Sequence, residues 1–222
     1  MGLWDMYSKV YDAVRHWKPY QQLLQDICSE IDIKPGTVVL DAGCGTGNLC
    51  EALAVNSPPA SIIGIDFSRQ MLDIAQEKLK NTSVKLYQID LNSPLPFKSG
   101  TFDYIAVVNT LYAVKNPASV LRELYRVQKR GGKIIVVNPF PGARALPVHQ
   151  NIDPRGANWA QLGRDIALGS YINRIIYSKG RSREFHFLPE SKIISILKEA
   201  GYSSIKSRVA YSGQSLLVTA LK

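Results

Sequence analysis

The chain has 222 residues, 45% of them hydrophobic and 20% charged. That composition describes one domain with a real core and excludes a disordered chain. The formal net charge of +9 is uneven: residues 1–140 balance to +2 and residues 141–222 to +7. A basic back half fits an anionic substrate, a nucleic acid or an acidic membrane surface, and equally a merely solvated face. The three cysteines, Cys28, Cys44 and Cys50, are odd in number and lack Cys-x-x-Cys spacing, which fits a reducing cytoplasm better than a disulfide scaffold. No His, Cys and carboxylate cluster has ligand spacing, so no metal is expected. The start "MGLWDMYSKV" has no apolar core segment, and Met6 stands where a myristoylation signal needs Ser or Thr. No apolar run reaches membrane-spanning length, so a soluble protein is expected.

In chain order, residues 3–30 read as one or two amphipathic helices. "KPGTVVL" is a turn entering a short buried strand, "NLCEALAV" a helix stopped by "NSPPA", and "SIIGID" a second buried strand. "SRQMLDIAQEKLK" is a helix with Ser68 as its N-cap. "VKLYQID" and "FDYIAVVNT" are the third and fourth strands. "NPASVLRELYRVQK" is a helix with Pro117 in its first turn, and "GGKIIVVN" is the fifth strand. Apolar strands alternating with helices predict an α/β fold: a Rossmann-like, doubly wound, mostly parallel sheet with helices on both faces.

The alternation breaks after Asn138. Residues 139–188 are rich in Gly, Pro, Arg and aromatics, and predict a lid insertion with short helices such as "NWAQLGRDIAL". "PESKIISILKEAG" resumes the helices, with Gly201 as C-cap. "SSIKSRVA" and "SLLVTALK", joined by "YSGQ", must pair antiparallel. The expected organisation is one domain of seven strands: a helical cap (1–30), a core (31–138), a lid (139–188) and a closing helix and hairpin (189–222).

The most informative stretch is "LDAGCGTGN", residues 40–48. A glycine-rich turn from strand to helix lets a ligand approach bare backbone. The spacing of Gly43, Gly45 and Gly47 is G-x-G-x-G, and Asn48 stands where the dinucleotide fingerprint wants its third glycine. No G-K-[ST] follows, so a P-loop fails too.

"VLDAGCGTGN" resembles the first motif of class I S-adenosylmethionine-dependent methyltransferases. Further matches fall in the family's order: "DFSRQM" from Asp66 after strand two, Asp90 in "YQIDLNSPLPF", and "SGTFDYIAVVNTLYAV" followed by "LRELYRVQKRGGKIIVVNPF". The resemblance spans about residues 30–140 and implies the cofactor S-adenosyl-L-methionine, with S-adenosyl-L-homocysteine as product. On it, Asp41 faces the cationic tail of the donor, and Gly43, Gly45 and Gly47 let it lie on backbone. Asp66 accepts from the ribose hydroxyls, while Phe67 and Met71 pack on the adenine. Asp90 accepts from the adenine amino group and Leu91 offers a backbone donor. Asn109 and Thr110 sit at the mouth of the site, and Tyr7 and Tyr11 resemble the tyrosines that close over the methyl in many members. For each acid alone, capping a helix or turn is the bland alternative, and for the tyrosines it is the buried face of an amphipathic helix.

The implied reaction is in-line displacement of the sulfonium methyl, for which positioning and desolvation do much of the work. No catalytic residue is assigned. His149 and His186 are candidate bases, a plain surface or core role being the commoner fate of such residues. "NPF" at 138–140 follows strand five, unlike the N-P-P-[YF] of amino-methylating nucleic-acid enzymes, which ends strand four. The lid carries Arg144, Arg155, Arg164, Arg174, Lys179, Arg181 and Arg183, resembling the insertion of quinone and natural-product methyltransferases. An anionic or amphipathic small-molecule acceptor is therefore expected. An RNA or DNA methyltransferase and a non-catalytic donor-binding protein are the alternatives. The oligomeric state is not legible.

Overall fold

The computed structural model describes residues 3–55, 60–141, 152–153, 158–179 and 185–222. Seven strands form one sheet: β1 (Val38–Ala42), β2 (Ser61–Asp66), β3 (Lys85–Gln88), β4 (Phe102–Val108), β5 (Gln128–Pro139), β6 (Ser203–Ala210) and β7 (Ser215–Leu221). Their order is β3-β2-β1-β4-β5-β7-β6. The first five are parallel, β7 pairs antiparallel with β5, and β6 pairs antiparallel with β7. The sheet is thus the expected mostly parallel one with an antiparallel C-terminal hairpin. The chain enters at β1, winds outward to β3, and returns to the other side of β1 at β4. This reversal opens a crevice at the carboxyl ends of β1 and β4, the place where open α/β sheets bind ligands.

The helices are α1 (Leu3–Tyr11), α2 (Lys18–Ser29), α3 (Asn48–Val55), α4 (Arg69–Leu79), α5 (Pro117–Val127), α6 (Trp159–Lys179) and α7 (Glu190–Ala200), with a 3-10 turn over Asp12–His16. Pro117 and the side chain of Asn116, which accepts from Ser119 N at 3.1 Å, start α5. The fully buried Leu121, Leu124 and Val127 pack with α7 and one face of the sheet. Burial of each is worth roughly 1.5–3 kcal/mol. On the other face, Leu23 and Ile27 of α2, Leu49 and Leu53 of α3 and Leu72 and Ala75 of α4 meet Val39, Ile62 and Ile135. Strands covered on both faces explain the unbroken apolar runs.

Helices α1 and α6 pack on each other over the carboxyl rim. The short helices expected in the lid are one helix of 21 residues, α6. Gly163 and Gly169 do not break it, because its inner side is anchored by the buried Leu162 and Ile172. Tertiary packing here overrides the weak helix propensity of glycine.

Candidate functional site

The glycine loop joins β1 to α3. Gly43 has φ +82°, and a Cβ there would lie 2.8 Å from Thr110 Cβ and meet its Cγ2 and Oγ1 as well. Only Gly fits, because the loop presses against the end of β4, where Thr110 Oγ1 donates to Gly43 O at 3.2 Å. Gly47 serves packing instead: a Cβ there would meet Leu79 Cδ1 at 2.9 Å, on α4.

Asp66 braces this loop. Its Oδ2 accepts from Gly45 N at 2.9 Å and its Oδ1 from Ser68 N at 2.8 Å. Burial raises the Asp66 carboxyl above its ordinary value, against the pull of these backbone donors. Ser68 Oγ in turn caps α4, accepting from Met71 N at 3.3 Å.

A cavity of about 570 Å³ lies over the rim. Of the residues singled out in the sequence, Gly43, Gly45, Asp66, Phe67, Met71, Asp90, Leu91, Asn109, Thr110, Tyr7 and Tyr11 all line it. Phe67 is 53% exposed, whereas Met71 and Leu91 are buried. Asp90 holds an Asx turn, its Oδ1 accepting from Asn92 N and Nδ2 at 2.9 and 2.7 Å. Asn109 has φ +50°, and its buried Oδ1 has no protein partner.

Asp41 and Gly47 are not on the cavity wall. Asp41 is 2% exposed and its Oδ2 accepts from Cys50 Sγ at 3.4 Å. Burial first, then the neighbouring Asp66 charge, works against its ionisation, and its carboxyl is pushed up to about 7. Cys44 and Cys50 are buried beside it, as packing residues would be. His186 is held by its backbone: its N donates to Tyr112 O at 2.7 Å and its O accepts from Asn138 Nδ2 at 3.1 Å. It does not line the cavity. His149, Arg144, Arg155, Arg181 and Arg183 lie outside the described residues, as does the Lys179 side chain. Arg164 and Arg174 are exposed on α6.

The helical cap is pinned to the glycine loop by polar contacts that periodicity could not reveal. Asp12 accepts from Thr46 Oγ1 at 2.6 Å and pairs with Lys78 Nζ at 2.8 Å. Lys78 also donates to Asn48 Oδ1 at 2.5 Å. Lys78 is 9% exposed in its side chain against 34% for Asp12, so this pair is shielded better than the outer Arg15–Glu51 pair, exposed 40% and 30%. The cap thereby carries Tyr7, Tyr11 and Trp17 onto the cavity. Tyr7 and Tyr11 stack edge to face at 5.1 Å, and burial holds the Tyr11 phenol well above its ordinary value.

Trp4 and Tyr7 of the cap form an aromatic wall with Tyr112, backed by Phe185 and Phe187. Asp165, Ile166 and Gly169 of α6 close the cavity from above. Among the described residues, no Lys, Arg or His lines it. Nor do the described residues contain a group of His, Cys, Asp and Glu able to hold a metal ion, or a helix long and apolar enough to cross a membrane.

A glycine cradle, a braced acid at the end of β2 and a capped rim cavity on this strand order are the arrangement that the resemblance to class I S-adenosylmethionine-dependent methyltransferases implies. Residues 33–180 match the family model described as a methyltransferase domain, and the chain belongs to that family. It is similar to demethylmenaquinone methyltransferase of Anoxybacillus flavithermus, 36% identical over 135 residues, which cover 59% of this chain and 56% of the relative. For the corresponding protein of Shouchella clausii the identity is 33% over 141 residues, covering 59% and 60%. The chain thus spans somewhat over half the length of these curated relatives. In fold it resembles a SAM-dependent methyltransferase from Aquifex aeolicus, with TM-score 0.66, 18% identity and 97% of both chains covered. It also resembles Haemonchus contortus phosphoethanolamine N-methyltransferase 2 in complex with S-adenosyl-L-methionine, with TM-score 0.69 and 17% identity, covering 98% of this chain and 56% of that one.

Proposed function

We propose that this chain transfers the methyl group of S-adenosyl-L-methionine to an uncharged small-molecule acceptor with a flat, apolar body. The observation that carries the reading is the continuity of one cavity from Asp66, Phe67 and Leu91 to Tyr7, Tyr112 and Trp17. Its volume of about 570 Å³ is in the range of small-molecule sites, about 300–1,000 Å³.

The residues on the β2–β3 side fit the donor. Asp66 presents a carboxylate for the ribose hydroxyls, Phe67 and Met71 offer apolar faces for the adenine, and Leu91 and Asp90 offer its edge a backbone donor and an acceptor. The partnerless Asn109 Oδ1 is a natural acceptor for the donor's ammonium group, and a Cβ at Gly43 would spoil the cradle there. Asp41 lies behind the loop, so it acts on the donor only through that loop.

When bound, S-adenosyl-L-methionine supplies an electrophilic sulfonium methyl and departs as a neutral thioether. The chain's own part is geometric: the cap and α6 exclude water, and the aromatic wall aligns the acceptor with the rim. The bond from sulfur to methyl breaks as the acceptor's nucleophilic atom forms its bond to carbon, and since no described histidine lines the cavity, the proton released by that atom passes to solvent water. The aromatic lining and the similarity to enzymes named for demethylmenaquinone both favour a ring-bearing acceptor. A nucleic acid would need a basic track, and none of the described lining residues is basic.

Transfer of labelled methyl to fractionated metabolite pools tests this reading. Label should enter a small neutral compound. Label entering RNA, or tight donor binding with no transfer to any pool, would contradict it.

A further inference from the structure

Trp17 stands just before α2, at the hinge between the 3-10 turn and the cap's second helix. Its residue is 3% exposed, its ring meets Tyr211 edge to face at 5.2 Å, and it lines the cavity. Yet its indole Nε1–H has no partner. Leaving a buried donor unmade costs roughly 1–3 kcal/mol, and a phenylalanine would pack on Tyr211 without that cost. The orphaned N–H has almost no accessible surface of its own, so an acceptor oxygen coming from the cavity meets it by a small turn of the ring.

Its position says which ligand brings that oxygen. Trp17 shares its end of the cavity with Pro139, Tyr211 and Gln214, from the end of β5 and the start of β7. Phe67, Met71 and Asp90 follow β2 and β3, on the other flank of the sheet. Of the five buried side-chain atoms without partners among the described residues, only Trp17 Nε1 and Asn109 Oδ1 belong to residues that line the cavity, and Asn109 Oδ1 is taken by the donor's ammonium, which leaves Trp17 Nε1 for the acceptor. The one unmet cavity-lining donor thus lies away from the donor's adenine and ribose, at the end of a cavity without described cations.

We propose that Trp17 is a specificity-determining residue whose indole N–H donates to a hydroxyl or carbonyl oxygen of the acceptor. The acceptor is then an uncharged ring compound with an oxygen substituent at its edge, its apolar body against Trp4, Tyr7 and Tyr112. This inference rests on the methyltransferase reading above, because that reading leaves the β5–β7 end for the acceptor.

The test uses 1-naphthol, uncharged at neutral pH, with naphthalene as the same ring lacking the oxygen. Each is titrated into the protein loaded with S-adenosyl-L-homocysteine, and the indole ¹H–¹⁵N signals of the three tryptophans are followed. The Trp17 signal is identified by its loss in Trp17→Phe or, should that variant not fold, by elimination using Trp4→Phe and Trp159→Phe. The expected result is that 1-naphthol moves the Trp17 signal downfield and naphthalene does not. Trp17→Phe should weaken 1-naphthol about tenfold, the ~1.4 kcal/mol of one hydrogen bond, and leave naphthalene and S-adenosyl-L-homocysteine binding unchanged. A Trp17 signal that 1-naphthol leaves in place, through absent binding or binding elsewhere, overturns the proposal, as does an equal loss for both probes. Failure of the unmodified protein to take up S-adenosyl-L-homocysteine strikes instead at the methyltransferase reading itself.

Discussion

The two halves of the cavity are built on different principles. On the β1–β3 side the frame is backbone, the glycine loop, two N–H groups fixed on Asp66 and a capped helix start, with Phe67, Met71 and Asp90 adding a few side chains to it. On the β5–β7 side the walls are side chains, mostly aromatic, delivered by a cap and a helix from distant parts of the chain. A backbone-built half binds one constant ligand and tolerates little change. A half built from side chains can be respecified one residue at a time. The division matches a shared methyl donor and a variable acceptor.

The largest effect should come from Asp66. Asp66→Ala removes an acceptor and frees two backbone donors at once, and donor affinity measured by calorimetry should fall about a hundredfold or more. Gly43→Ala comes next. Its φ of +82° and the Thr110 side chain leave no room for a methyl, so donor affinity should drop some tens of fold and stability by about 1–3 kcal/mol in denaturant unfolding. Lys78→Met breaks the cap's inner ion pair and the hydrogen bonds from Lys78 to Thr46 and Asn48 of the glycine-rich stretch. It should weaken the donor about tenfold and expose the first 17 residues to limited proteolysis.

Asp41→Asn should be the mildest for binding, less than about threefold, because Asp41 stands behind the loop. Its stability signature is sharper. A carboxyl raised from 3.8 to about 7 prefers its neutral form in the folded state. Its cost is absent below pH ~4, grows as pH rises, and is complete above pH ~7. The advantage of Asp41→Asn over the parent in denaturant midpoint should therefore increase across that window. An advantage that shrinks with rising pH would contradict the burial argument. Equal losses of donor affinity from Asp41→Asn and Asp66→Ala would erase the contrast between a carboxylate facing the ligand and one behind it.

How far the sequence reveals this molecule follows the same division. Strands such as Ser61–Asp66 and helices such as Asn48–Val55 coincide with apolar runs bounded by turn residues, because burial on both faces demands them. Residues near the loop could be picked out because spacing along one strand-turn-helix unit sets their geometry. The partial burial of that unit was not legible: nothing in "LDAGCGTGN" says that Asp41 turns under the loop toward Cys50 while Asp66 faces the cavity. The other half was largely hidden. Trp17, Tyr112, Ile166 and Gln214 are far apart in the chain and meet only through packing. The basic count of residues 141–222 pointed to an anionic or amphipathic acceptor; of the lid's seven basic residues, Arg164 and Arg174 are exposed on α6, and Arg144, Arg155, Arg181, Arg183 and the Lys179 side chain lie outside the described residues. The first half of α6 was legible in "NWAQLGRDIAL", but its continuation to Lys179 was not, because Gly163 and Gly169 interrupt the pattern.

The division of the cavity between donor and acceptor is tested most directly by a crystal structure with S-adenosyl-L-homocysteine bound. The ribose should lie on Asp66 and the adenine between Phe67 and Leu91, with open space between the sulfur and Trp17. A ligand lying instead along Trp4, Tyr112 and Trp17, with Asp66 untouched, would contradict it.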